Sequence, residues 1–176
     1  MAGQDLAFLT AHPSRCCIGE EQTAVVAGTT PEPNAVLVLA IGSRRTATDF
    51  FKHTPPTPGE LENAIMVVED GVTRVRAITA TAATLVTADA AIREIALVAG
   101  VSDQPELILT LDAVERTFEQ LAAVTLGRPV SSAGIPANAA FAATLLILRE
   151  FMHHLRFASV TVRTALKCAT ADVPYG

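Results

Sequence analysis

Two adjacent arginines, Arg44 and Arg45, follow Gly42-Ser43 at the end of an apolar run. Neighbouring guanidinium groups can grip a phosphate through charge-assisted, bidentate hydrogen bonds. The plainer reading, a solvated strand end, is preferred. His153 and His154 are neighbours on a helical stretch, so their side chains point in different directions and do not chelate one metal. They read as surface or interface histidines. His12, Ser14 and Asp5 are the residue types of a catalytic triad, but no strand-turn-helix elbow frames Ser14. Glu60, Glu62, Glu69 and Asp70 are mostly a charged helix face. Cys16, Cys17 and Cys168 are an odd count with one adjacent pair, neither a disulfide framework nor a metal-ligand spacing. Reduced thiols in a cytosolic protein are expected.

The elements that would hold these residues are legible in part. Arg15–Ile18 and Thr23–Ala27 are short apolar runs separated by Gly19-Glu20-Glu21, and Asp5–Thr10 is a third run before them. Ala35–Ile41 is an unbroken apolar run, which predicts a strand buried on both faces. An antiparallel meander follows from this. Thr57, Pro58 and Glu60 form a Thr-x-x-Glu capping box with proline at the first helical position, and Leu61, Ala64, Ile65 and Val68 supply one apolar face. Gly71 is the expected stop, with a strand over Val72–Ile78. Ala83–Ala99 reads as a helix with Asp89 and Arg93 paired on its wet side. Glu106–Leu109 reads as a strand, after which Thr110 caps a helix with Leu111, Val114, Phe118 and Leu121 inward. A polar loop over Gly127–Gly134 leads to a long helix from about Pro136 to Arg156. Ser159–Val162 closes the series as a strand, and Thr164–Ala169 begins a short helix.

Composition bounds the rest. The chain has 176 residues, 50% hydrophobic and 18% charged, enough for one domain with a sizeable core. A net charge of -5 argues against nucleic acid as a partner, and no Lys/Arg run offers itself to an anionic membrane. Met1–Thr10 lacks the basic and apolar regions of a signal peptide, and no apolar run is long enough to span a bilayer. A cytoplasmic protein is expected.

The order of elements, with some of their residues, resembles the C-terminal lobe of the exopolyphosphatase/guanosine-pentaphosphatase (Ppx/GppA) phosphatases. The resemblance rests on Ile41–Phe50, on Pro55-Pro56-Thr57-Pro58-Gly59-Glu60-Leu61, on Leu109-Thr110-Leu111-Asp112 with Leu121, on Gly134–Ala140 running into Leu146-Ile147-Leu148, and on Val160-Thr161-Val162 with Leu166-Lys167. It is collinear from about residue 35 to 170. It implies an α/β fold: one RNase-H-like (actin-like ATPase) lobe, with a mixed sheet flanked by helices, as a single domain over 1–176. It also implies that phosphate would lie near Arg44, Arg45 and the segment holding Thr79, Thr81 and Thr84.

The departures from the family are chemical. Its gly-gly-gly-ser-thr-glu phosphate loop, between the first strands of the lobe, has no counterpart in Asp5–Gly28, where Thr10–Arg15 or Ala27–Thr30 would stand. Its gly-gly-thr turn falls near Ile78–Ala83, which holds no glycine. Glycines let backbone N–H groups approach an anion closely; threonine and alanine do so less well. The arginine of its gly-leu-x-x-x-arg-ala helix falls on Ala139. The family's catalytic glutamate belongs to an N-terminal lobe for which this chain is too short. The expected function is therefore an exopolyphosphatase-related binding or association module, inactive alone, with a homodimer or a separate partner chain covering its apolar surface. The alternative is a phosphatase acting on polyphosphate or a phosphorylated nucleotide, in a cleft completed by a second chain. No cofactor is expected for the first reading, and Mg²⁺ for the second.

Overall fold

In the computed structural model the described residues are 13–28, 33–74 and 84–164. Six strands form one sheet: β1 Ser14–Ile18, β2 Thr23–Gly28, β3 Pro33–Leu39, β4 Leu85–Thr87, β5 Glu106–Thr110 and β6 Ser159–Arg163, in the order β3-β2-β1-β4-β6-β5. β1, β2 and β3 are an antiparallel meander, as the sequence predicts. β4 and β6 run parallel to β1, and β5 returns antiparallel beside β6. The helices are α1 Ser43–Phe50, α2 Pro58–Thr73, α3 Ala90–Val98, α4 Leu111–Thr125, α5 Val130–Ala133 and α6 Ala139–Leu155. The α/β class expected from the sequence holds.

α6 is the hub. Asn138 caps it through the Phe141 N–H at 2.6 Å, and every residue from Phe141 to Leu148 is buried. Its apolar surface extends around the helix, because α1, α2, α3 and α4 all pack around it. Buried side chains of α1–α6 join Cys16, Ile18, Val25, Leu85, Leu107, Leu109, Val160 and Val162 in one core cluster. Glu150 is buried in the same helix and is answered by Arg149 Nη1 at 2.6 Å and His154 Nε2 at 3.1 Å. His153 and His154 do point to different partners: His153 lies nearest Glu115, and His154 lies between Glu150 and Glu69.

Several expectations need correction. The run after Gly42 is a helix, α1, not a strand end; only Ser43, Thr46 and Ala47 of it are buried, so it carries little apolar periodicity. β3 is an edge strand with Val36 and Val38 exposed, not a strand buried on both faces. α2 continues through Gly71 to Thr73. A Cβ on Gly71 would overlap the Ile41 side chain, so this glycine permits close packing and is not a stop. The rest of the predicted Val72–Ile78 strand lies outside the described residues from 75 onward. The predicted Ala83–Ala99 helix begins only at Ala90, because Leu85-Val86-Thr87 is a fully buried strand between β1 and β6. Arg93 does not pair with Asp89 but with Asp103 and the Gln104 carbonyl. Cys17 is disulfide-bonded, contrary to the expectation of reduced thiols, while Cys16 is free and buried. Asp5–Thr10, His12 and Thr164–Ala169 beyond Thr164 lie outside the described residues, as does Cys168.

Candidate functional site

Because β1, β4 and β6 are parallel, their carboxyl ends share one edge of the sheet. In open α/β sheets that edge is where ligands bind. Three segments meet there: the β1–β2 turn Gly19–Gln22, the β4–α3 junction Ala88-Asp89, and the start of α1 at Gly42-Ser43.

The turn and α1 are fitted backbone to backbone. Ser43 N–H donates to the Gly19 carbonyl at 2.9 Å and Arg45 N–H to the Glu20 carbonyl at 3.0 Å. A Cβ on Gly42 would overlap the Glu20 and Glu21 backbone, so glycine is required for this approach. The first turn of α1 therefore spends two amides on the protein's own carbonyls. Arg44 reaches back over the turn, with Nε 3.1 Å from Glu20 and Nη2 on Glu21, both on the surface. Arg45 faces Asp49 one turn along the same helix at 3.7 Å.

Asp89 closes the other side. It caps α3 by accepting from Ala91 N–H at 2.9 Å, and its second oxygen accepts from Ile18 N–H, also at 2.9 Å. Its own N–H donates to the buried Thr87 hydroxyl at 3.1 Å. A carboxylate is thus held between the end of β1 and the start of α3, by the kind of amide donors that hold a bound anion at a helix N-terminus. Burial raises the Asp89 carboxyl above its ordinary value, opposed by the amides of Ala91, Ile18 and Ile92. Burial first, and the Asp89 charge second, push the Cys16 thiol up, so this thiol is not a nucleophile.

Of the residues proposed from sequence, Arg44 and Arg45 reach this edge. Thr84 lies at the other end of β1, its carbonyl accepting from Ser14 N–H at 2.9 Å. The length of β1, about 13 Å, separates the two places. Thr79 and Thr81 lie outside the described residues. Ser14 is buried with its hydroxyl unpaired. Sequence reading missed Asp89 as a site residue because it was placed inside a helix. An Asp directly before Ala-Ala-Ile, after a β-branched run, is an N-cap signal that would have found it. Among the described residues no group of three or more His, Cys, Asp or Glu could hold a metal ion, and no helix is long and apolar enough to cross a membrane.

The fold defines the class: an RNase-H-like α/β unit of the actin-like ATPase type, as in the Ppx/GppA phosphatases. Among solved structures it is similar to the type II variant of the Ppx/GppA phosphatase of Aquifex aeolicus, with a TM-score of 0.68 at 18% identity over 87% of this chain and 53% of that one. It is equally similar to an exopolyphosphatase from Cytophaga hutchinsonii, TM-score 0.68 at 16% identity over 87% of this chain and 53% of that one. An exopolyphosphatase-like protein matches at TM-score 0.68 and 13% identity over 93% of this chain and 58% of that one. The chain therefore spans little more than half the length of the structures it matches. No family model matches the chain, and no curated protein does.

The turn that joins β1 and β2 is Gly19–Gln22. The turn carries Glu20 and Glu21 where a phosphate loop needs glycine and bare amides. The described strand-to-helix junction beside it is Ala88-Asp89, which carries a carboxylate.

Proposed function

We propose that this chain is an exopolyphosphatase-related binding or association module that does not hydrolyse phosphoanhydrides by itself. The observation that carries this reading is Asp89: its carboxylate takes the Ile18 and Ala91 amides at the strand edge where the fold offers anion donors. Glu20 and Glu21 add negative charge to the adjoining turn, and Arg44, the nearest cation, is paired to both. An incoming phosphate would meet repulsion and amides already in use. We further propose that the protein resides in the cytoplasm and acts by association with a second copy, for which exposed Val36 and Val38 on the edge strand β3 are the supporting feature.

The test is thermal stability with phosphate, short polyphosphate and Mg²⁺, alongside phosphate release and solution mass. The wild type is expected to show no ligand-dependent shift, no release and a dimer mass. The Asp89→Gly variant, with its amides freed, is expected to gain about 2–4 °C from tens of millimolar phosphate. Phosphate-dependent stabilisation of the wild type, lost in Arg44→Ala or Arg45→Ala, overturns this reading. It would turn attention to a phosphatase cleft shared with another chain.

A further inference from the structure

The two edges of the sheet are finished differently. β5 is five residues long, begins at Glu106 and holds that carboxylate against Arg163 of β6. Charges of this kind keep an edge from recruiting another strand. β3 runs for seven residues, and from Pro33 to Ser43 the chain carries no charge. The inner side of β3 is taken by β2, from Ala27 with Ala35 to Thr23 with Leu39. Among the described residues nothing hydrogen-bonds to its outer side. Successive residues of a strand point their N–H and C=O groups to alternate sides, so every second residue of β3 presents an unpaired amide and carbonyl. Leu37 and Leu39 turn to the core, whereas Val36 and Val38 are 48% and 38% exposed on the other face.

We propose that β3 pairs antiparallel with β3 of a second copy about a two-fold axis at Leu37, joining two six-stranded sheets into one. The inference rests on the association with a second copy proposed above, and it names the strand and the register that hold that copy. A row of unpaired amides and carbonyls calls for another extended strand. Each copy carries a net charge of -5, and this edge is a stretch where no like charges meet.

Symmetry and backbone chemistry select the register. A two-fold axis perpendicular to the sheet closes the assembly at two copies, whereas β3 against the charged β5 edge would grow without end. That axis keeps outer-face side chains opposite outer-face side chains, so each residue pairs with one an even number of places away. Pro33 has no N–H to give to a ladder, which favours a register shifted away from it. Centred on Leu37, Val36 lies opposite Val38 of the partner subunit, and Val38 opposite Val36 of the partner subunit. The exposed valines then cover one another across the seam, and cross-strand pairs of this kind stabilise a sheet.

The experiment measures the dimer constant of the full chain by sedimentation over a dilution series, and repeats it for a pair of double variants. The wild type is expected to dimerise. Val36→Lys/Val38→Lys sets like charges opposite each other at both contacts and should weaken the dimer on the order of 100-fold. Val36→Lys/Val38→Glu sets opposite charges across the same contacts and should bring it back to within about tenfold of the wild type. Both sites are exposed, so neither variant should change the circular dichroism. Amide exchange on the wild type needs no substitution. Alternate β3 amides should be slow in the concentrated dimer and fast on dilution, while those bonded to β2 stay slow in both. Three results overturn β3 pairing and leave association standing on another surface: a dimer that Val36→Lys/Val38→Lys leaves intact, one that Val36→Lys/Val38→Glu does not restore, or β3 exchange independent of concentration. A wild type that stays monomeric at every concentration overturns both readings.

Discussion

The starts of α2 and α3 use the same device, a side-chain oxygen on the first free amides of a helix, to different ends. At α2 everything is local and exposed. Thr57 accepts from Glu60 N–H, and Glu60 accepts from Thr57 N–H at 2.8 Å and from Lys52 N–H at 2.9 Å, with His53 also at 2.9 Å. At α3 the cap is part-buried and reaches out of its own neighbourhood, because Asp89 also takes the amide of Ile18 at the end of β1. One cap stabilises a helix. The other ties a helix to a strand at the carboxyl ends of the parallel strands. A cap that spans two elements restricts what else can bind there; a cap confined to one turn does not.

Substitution at the two caps should separate these roles, with the largest effect at Asp89. Asp89→Ala removes the cap of α3 and leaves the Ile18 amide without an acceptor, for an expected loss of about 2–4 kcal/mol in chemical denaturation. Asp89→Asn keeps one acceptor oxygen but sets an NH₂ group against one of the two amides. It should cost about 1–2 kcal/mol. Thr57→Ala removes only a local bond and should cost about 1 kcal/mol. If Asp89→Ala costs no more than Thr57→Ala, the Ile18 contact contributes nothing and the contrast between the two helix starts collapses. Hydrogen exchange sharpens the same point: Asp89→Ala should speed exchange at Ile18, while Thr57→Ala should leave strand amides unchanged.

The contrast also explains what could be read from the sequence. The capping box of α2, the Thr110 cap of α4 and the apolar face of α6 are all signals carried by nearby residues, and all three helices form, although α2 runs past the expected stop at Gly71 and α6 begins at Ala139. The meander β1–β2–β3 was legible for the same reason. α1 was not, because its start is stabilised by backbone docking on the Glu20 turn and not by a side-chain cap. β4 was merged into a helix because a three-residue strand carries no periodicity of its own, and its identity comes from β1 and β6 on either side. The site suffered most. Arg44 and Arg45 read from sequence as a candidate phosphate grip or, preferably, a solvated strand end, because their carboxylate partners become visible only when Glu20, Glu21 and Asp49 are brought to them. Asp89 was overlooked because its second partner is remote in the chain. Cys17 was misjudged because adjacent cysteines on a strand face opposite sides of a sheet, so their spacing carries no information on pairing.

The smallest expected effect is in the pH dependence, where the two caps should act in opposite senses. The Thr57 amide above all, with further donors from His53 and Lys52, holds the Glu60 carboxyl down to about 2 from an ordinary 4.5. A lowered carboxyl contributes stability that is present above the unfolded value and lost as the folded group takes up its proton. The advantage of the wild type over Glu60→Gln should therefore be complete above about 4.5 and fade as pH falls toward 2. Asp89 is raised by burial from its ordinary 3.8, so the folded chain binds its proton more readily than the unfolded chain. Relative to Asp89→Asn, the wild type should gain stability as pH falls through the raised value and level off below 3.8. Thermal melts of the three proteins from pH 2 to neutrality measure both trends (range chosen to bracket ordinary carboxylates, roughly pH 2–7). Parallel curves for the two variants would mean that both caps sit in equivalent, solvated surroundings, and Asp89 would lose its claim to fill a donor site at the edge of the sheet.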